Sequence, residues 1–558
     1  MAADHPLLIC AVPVALIALG HAVWVVQHRQ LGAYDPDEAG YIATALRYQR
    51  SLDLNPLPFI YEVGATGTGP LVPLLSVPLL ILGPRSPHTV MMVQPILLII
   101  VAIAAAGIAQ RLSGSTASVV AGIATATTPT ITLATQSYWF GLGTAAACAC
   151  AMWALVSSDR GTNRWIWAYG IAVGLMLLAR TMALGLLPAM IVAGVIVVGP
   201  SRRGLTRFAG SLGLTAIVAG PWWVVEWSTV SGYLVDYGYG ERAGLFGSGT
   251  VIERVGFRFD RIRDGIGAPA VTVATIVAAI GLVVWLSGSR GRPPLPPAWR
   301  EFVALTTACA AGVAALSSTT NNGVWFELPI VVIVVPLAVA ALSSAPRLLR
   351  WLPALPFAGM VAVQLASAWW FVPPGTVGVR HFAQNSVVST HYEEGFAQYD
   401  PRFAPGRRGE HAAAAADWYD LSSEVEQEMQ RIESSSRAAV FTLSGNMQLF
   451  NSNSIALVGE LRSHVHRIWI PDTTLAAHDR SIDLSPLAKE ANGTLLERDD
   501  GEYIERVLVV ALHDRMLFTP DRDVAEFAAQ ATAAGWRVSR SFEIPGGGTV
   551  EFLRHSNR

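Results

Sequence analysis

Residues 89–109 read TVMMVQPILLIIVAIAAAGIA, twenty-one residues without a charge. As an α-helix such a run is about 32 Å long, enough to cross a hydrocarbon core of about 30 Å. Runs of the same kind recur near 7–26, 115–133, 141–157, 165–180, 182–199, 208–228, 267–287, 302–317, 327–345 and 352–372. The chain is 52% hydrophobic and 14% charged, against about 25% charged in a soluble domain. The deficit of charge is confined to residues 1–373. The expected fold class is an α-helical polytopic membrane bundle of about eleven transmembrane helices over 1–373, followed by a soluble α/β domain over 374–558. No basic stretch precedes 7–26 and further spans follow it, so it reads as a retained first helix rather than a cleaved leader.

The loops give an orientation. Arg111, Arg160 and Arg164, Arg202, Arg203 and Arg207, Arg290, Arg292 and Arg300, and Arg347 and Arg350 fill every second connection. The positive-inside rule makes those loops cytoplasmic. The N-terminus is then inside, and loops 27–68, 229–266 and 317–326 and the C-terminal domain are extracytoplasmic. That outcome requires residues 69–83 not to cross. They number fifteen, contain Pro70, Pro73, Pro78 and Gly83, and would make a helix of only about 22 Å. They read as a juxtamembrane or re-entrant piece.

Within 374–558, Ala438–Leu443 and Arg506–Leu512 read as buried strands and Asp523–Ala534 as a helix. Trp536–Ile544 and Thr549–Leu553 read as a hairpin through Pro545-Gly-Gly-Gly548. Ala412–Ala416 and the acidic stretch Glu424–Glu433 suggest another helix. Net charge is −2, which excludes a polyanionic partner such as nucleic acid. Lys489 is the only lysine, a bias that suits a GC-rich genome of the actinobacterial kind. Cys10, Cys148, Cys150 and Cys309 all fall in apolar runs, and neither Cys148-x-Cys150 nor His464-x-His466 has the further ligands a metal needs.

Just after the first apolar run stand three carboxylates, Asp35, Asp37 and Glu38, around Pro36. Proline is favoured in the first turn of a helix. Asp35 is then the N-cap and Glu38 the third helical residue, the spacing of a capping box. Asp37 has no such duty, and it shares a helix face with Tyr41 at i and i+4. A carboxylate so placed suits a general base that takes a proton from a hydroxyl. A divalent cation at Asp35 and Asp37 would have to find its other ligands elsewhere.

Tyr34-Asp35-Pro36-Asp37-Glu38-Ala39-Gly40-Tyr41, placed after a first membrane helix, resembles the first external loop of the GT-C glycosyltransferases. These include the protein O-mannosyltransferases and the lipid A aminoarabinose transferases. Thr66-Gly67-Thr68-Gly69-Pro70-Leu71 resembles the family's Pro-containing juxtamembrane segment, and Gly220-Pro221-Trp222-Trp223 its Pro-Trp motif. Residues 135–141 depart from the pattern, because they carry no charge. The resemblance implies an inverting transfer from a polyprenyl-phosphate sugar, with Asp37 as catalytic base and with Asp35, Glu38 and Tyr41 as supporting acids or acceptor contacts. The acceptor would be an extracytoplasmic cell-envelope glycan, glycolipid or protein.

Such a reaction needs fixed positive charge for a departing phosphate. Arg180, between two apolar runs at an external turn, is the first candidate. Arg242, Arg254 and Arg258 in loop 229–266 are the others, with Arg254, Arg258 and Arg261 spaced for one helix face. Tyr237, Asn321, Asn322 and Glu327 offer groups for sugar or acceptor hydroxyls. Two other classes compete with this reading. A transporter or lipid flippase would carry internal repeats or mid-membrane charges, and neither is evident. A non-catalytic envelope-assembly protein would tolerate loss of the Asp37 carboxylate.

Overall fold

A computed structural model describes residues 6–29, 34–240, 243, 249–267, 298–321, 323, 325–343, 362, 400–435, 439–444, 449–464, 466, 468–469, 495–497, 503–513, 521–533 and 535–555. Two compact units divide the chain. One comprises 1–26, 54–82 and 88–389, and the other 27–53, 83–87 and 390–558.

The first unit is helical. Among its described residues, Pro6–Gln27, Pro87–Ser113, Thr181–Val198, Arg202–Val225 and Trp299–Ser318 are long and apolar enough to cross a membrane. Ser115–Ala126 and Pro129–Thr135 make a sixth only as a pair bent by 58°. The break has a local cause. Pro129 starts the second helix without an N–H, and Thr127 turns its hydroxyl back onto the Ile123 carbonyl at 2.9 Å. Phe140–Val156, Trp165–Ala179 and Leu328–Ser343 are apolar but shorter. The expected spans 267–287 and 352–372 fall almost wholly outside the described residues. The doubtful segment forms Leu71–Leu82, twelve residues, or about 18 Å of helix. Small residues let the helices close on one another. A Cβ on Gly170 would lie 2.1 Å from the Ser211 carbonyl oxygen.

The second unit holds a sheet covered on both faces. Its strands are β1 Ala439–Ser444, β2 Ile468–Trp469, β3 Leu495–Glu497, β4 Tyr503–Leu512, β5 Trp536–Glu543 and β6 Thr549–His555. Their order is β2-β1-β4-β6-β5, with β3 also paired to β4. The β1–β2 and β1–β4 pairs are parallel, and the others antiparallel. Alternation along β4 sorts its side chains. Val507, Val509 and Ala511 join the core under the helix His411–Ser435, with Trp418, Val425 and Met429. Leu508 and Val510 face the other core, under Asp521–Ala533, with Val524, Phe527 and Trp536. Gly546, Gly547 and Gly548 all have positive φ and close the β5–β6 hairpin, which is why that turn is a glycine run. The helix expected from 412–416 and 424–433 is His411–Ser435.

Candidate functional site

The acidic helix runs Pro36–Leu54. Its three carboxylates have different surroundings. Asp35 Oδ1 accepts from the Asp37 backbone N–H at 3.1 Å, the N-cap bond. Glu38 is fully buried, and its Oε2 accepts from Arg29 Nη2. Glu38 thus takes part in a buried ion pair at the start of the helix. Arg29 also stands 5.2 Å from the centre of the buried Tyr34 ring. Asp37 is exposed and Tyr41 half-buried. The helix start is seated on Ser452–Leu461, where Asn453 Nδ2 donates to the Pro36 carbonyl at 2.8 Å. A Cβ on Gly40 would meet that same Asn453 side chain at 2.9 Å.

In the helical unit, residues that are far apart in sequence meet. Arg258, on the helix Val251–Ile266, is wholly buried. It donates through Nη1 to Glu327 and through Nη2 to the Asn321 carbonyl at 2.5 Å. Asn321 donates through Nδ2 to the Tyr237 carbonyl at 2.8 Å. The Phe326 ring takes the Arg180 guanidinium at 4.3 Å and that of Arg258 at 5.9 Å. Arg180, Tyr237, Arg258, Asn321 and Glu327 thus form one cluster around Phe326. Within it Arg258, expected as a phosphate ligand, is held by Glu327 in a buried ion pair. Arg254 is half-buried and donates to the Ser317 and Gly249 carbonyls at 2.9 and 2.8 Å. Arg242 and Asn322 lie outside the described residues.

The two short motifs join the same region. Trp222 Nε1 donates to the Thr66 carbonyl at 3.1 Å. A Cβ on Gly69 would fall 2.4 Å from the Ala179 carbonyl carbon, one residue before Arg180. Tyr233 and Tyr237 stack at 4.5 Å, and the Tyr239 hydroxyl lies 3.1 Å from Ser318 Oγ.

No protein-family profile matches the chain, and no curated protein sequence matches it. Solved structures do. ArnT from Cupriavidus metallidurans, in its apo state and bound to undecaprenyl phosphate, superposes with a TM-score of 0.56 at 14% identity, covering 98% of this chain and 97% of that one. The oligosaccharyltransferase of Archaeoglobus fulgidus gives a TM-score of 0.43 at 11% identity, over 83% of this chain and 64% of that one. The chain shares its overall fold with ArnT.

Arg29 and Phe326 had no signal in the sequence: Arg29 pairs with Glu38 across the start of the helix, and Phe326 meets arginines far along the chain. In the second unit, His464 Nδ1 and His466 Nε2 both meet Glu426 Oε1, at 2.9 and 3.1 Å, and His466 Nδ1 meets Glu433 at 3.0 Å. Arg462 Nη1 lies 2.5 Å from the other Glu426 oxygen. Burial alone would raise the Glu426 carboxyl, but hydrogen bonds from His466, Arg462 and His464 outweigh it and hold it at about 2. Burial would likewise lower His466, but its bonds to Glu426 and Glu433 lift it to about 9. This is a salt-bridged imidazolium. Among the described residues no group of three or more His, Cys, Asp or Glu is arranged to hold a metal ion.

Proposed function

We propose that the chain is a membrane glycosyltransferase that moves a sugar from a polyprenyl-phosphate donor to an extracytoplasmic acceptor, a cell-envelope polysaccharide, glycolipid or protein. The observation that carries this is a whole-length GT-C fold shared with a protein solved bound to undecaprenyl phosphate. Asp37 is the general base. Its carboxylate takes the proton of the acceptor hydroxyl, the acceptor oxygen bonds to the anomeric carbon, and the bond from that carbon to the phosphate oxygen breaks, leaving the electron pair on the lipid phosphate. Inversion follows from a single displacement. Arg180 and Arg254 neutralise the departing phosphate, with Arg242 from the same external loop. Arg258 acts through Glu327 and Phe326 by fixing the loop that faces Arg180. Tyr237, Asn321 and Asn322 contact sugar or acceptor, and Tyr41 lines the Asp37 face. The N-terminus is cytoplasmic and the C-terminal domain extracytoplasmic.

The test is reconstitution in proteoliposomes with a panel of polyprenyl-phosphate monosaccharides. Release of polyprenyl phosphate together with a glycosylated acceptor, lost on Asp37→Asn, is the expected result. Substrate flux without a glycosylated product would instead mark a transporter. Transfer that proceeds at wild-type rate in Asp37→Asn would remove the base assignment.

A further inference from the structure

The far end of the acidic helix carries positive charge for which the transfer reaction has no use. Arg47 and Arg50 lie one turn apart on Pro36–Leu54. With Arg85 they converge on one carboxylate, Glu460 of Ser452–Leu461. Arg47 Nε and Arg50 Nη2 lie 3.2 and 3.1 Å from Glu460 Oε1, and Arg85 Nη2 lies 3.6 Å from Oε2. Arg85 also donates to Ser463 Oγ at 3.2 Å and to the Leu46 carbonyl at 3.4 Å. Glu460 is 2% exposed, whereas the three arginines are 37, 22 and 24% exposed. The other acid acting on Arg85 is Asp53, an exposed residue engaged by Gln49.

One arginine is enough to satisfy a buried carboxylate. Three guanidinium groups gathered on it repel one another unless a further anion shares them. The Nε atoms of Arg50 and Arg85 are buried with no hydrogen-bond partner. All three side chains keep a solvent-accessible portion, so an anion can reach them without displacing Glu460. Arginine is the side chain suited to phosphate, because its donors form a planar fork. The sequence sets the level of the cluster in the membrane. Arg85 stands three residues after the apolar helix Leu71–Leu82 and two before the membrane-capable Pro87–Ser113. The same helix sets its distance from the chemistry. Arg47 and Arg50 follow Asp37 by ten and thirteen residues, about 15 and 20 Å along the axis. A leaving phosphate sits within bonding reach of the atoms that the base serves, so this cluster is too far away to hold it.

We propose that Arg47, Arg50 and Arg85 form an anion site at the membrane surface that takes a phosphate group, separate from that of the glycosyl donor. The phosphate is supplied by a phospholipid headgroup or by free phosphate. The site's separation from the donor rests on Asp37 being the base, whereas its affinity for phosphate does not.

The full chain in phosphatidylcholine nanodiscs tests it with two probes. Doped phosphatidic acid is read by native mass spectrometry as lipid retained, and inorganic phosphate by the shift it causes in melting temperature. The wild type is expected to retain phosphatidic acid over phosphatidylcholine, or to be protected by inorganic phosphate. The first result assigns a lipid source and the second a soluble one. Arg50→Gln with Arg85→Gln, which leaves the Arg47–Glu460 pair to hold the fold, weakens that binding at least tenfold. The double Lys variant retains part of it, and Glu460→Gln strengthens it by releasing the guanidinium groups. Binding of both probes that is unchanged in the double Gln variant, or weakened by Glu460→Gln, overturns the proposal. Neither readout requires sugar transfer, so failure here is distinct from failure of the glycosyltransferase reading.

Discussion

Trp222 donates its indole N–H to the carbonyl of Thr66, 156 residues earlier in the chain. The bond ties the Pro-Trp motif to the Thr-Gly-Thr-Gly-Pro segment, whose Gly69 packs against the backbone just before Arg180. Trp222→Phe keeps an aromatic side chain, removes the N–H donor and shortens the ring system. It is expected to cost about 1 kcal/mol of stability, read as a lower melting temperature of the purified protein. It should also slow transfer by loosening the approach to Arg180.

The three acidic residues should separate cleanly. Asp37→Asn is expected to lower transfer by about 10²- to 10⁴-fold while leaving the melting temperature unchanged, because the side chain is exposed. Glu38→Gln strands the buried Arg29 charge and should destabilise the fold by about 3–5 kcal/mol. Asp35→Ala loses a cap and costs about 1 kcal/mol. Melting curves and initial transfer rates measured on the same preparations check all three. A Glu38→Gln protein as stable as wild type would show that the Arg29 pair contributes nothing.

Arg258 and Arg180 should behave as opposites. Arg258→Met leaves Glu327 uncompensated in a buried site and is expected to destabilise by about 3–5 kcal/mol. Adding Glu327→Leu should restore much of that loss, since neither charge is then stranded. Arg180→Gln should leave stability near wild type and raise the KM for the polyprenyl-phosphate donor, because its charge is half-exposed and rests on the Phe326 face.

The histidine cluster predicts a pH dependence. His466 is lifted from 6.5 to about 9 in the fold. Its contribution is therefore complete below pH 6.5 and disappears as pH rises through 9. Glu426 is held at about 2 against an ordinary 4.5, so its contribution is complete above pH 4.5 and is lost as pH falls through 2. Stability of the second unit should peak between pH 4.5 and 6.5 and decline toward pH 9, by on the order of 3 kcal/mol from His466. Hydrogen exchange of the β1 amides across this range checks it. His466→Phe should flatten the alkaline side.

Much of this architecture was legible in the sequence because local rules dominate there. Span-length apolar runs located the helical unit, and short strand-like runs with the Pro545-Gly-Gly-Gly548 turn located β4, β5 and β6. Pro36 marked the start of the acidic helix to the residue. The failures have separate causes. Glu38 has the spacing of a capping residue, yet its carboxylate turns to Arg29, a partner that helix spacing does not predict. Arg258 has the spacing of an exposed basic stripe, yet Glu327, sixty-nine residues on, draws it inside. The stretch 115–133 reads as one span, although Thr127, Thr128 and Pro129 together bend it. The Arg258 pair depends on a contact between segments, which periodicity does not record, and the bend comes from a local proline and threonine back-bond that an apolar-run count passes over.

The acidic helix and its seat are made at opposite ends of synthesis. Pro36 and Asn453, whose hydrogen bond fixes the start of that helix, are separated by 417 residues. At a ribosomal rate of about 5–20 residues per second, the helix waits roughly 20–80 s after it emerges before its partner exists. Throughout that interval the bundle is being inserted while Arg47, Arg50 and Arg85 have no Glu460 to meet. Maturation of the acidic helix is therefore a post-insertion event, completed only when the last third of the chain has been delivered and folded, and a nascent or truncated bundle carries Asp37 on a helix that has not yet been docked.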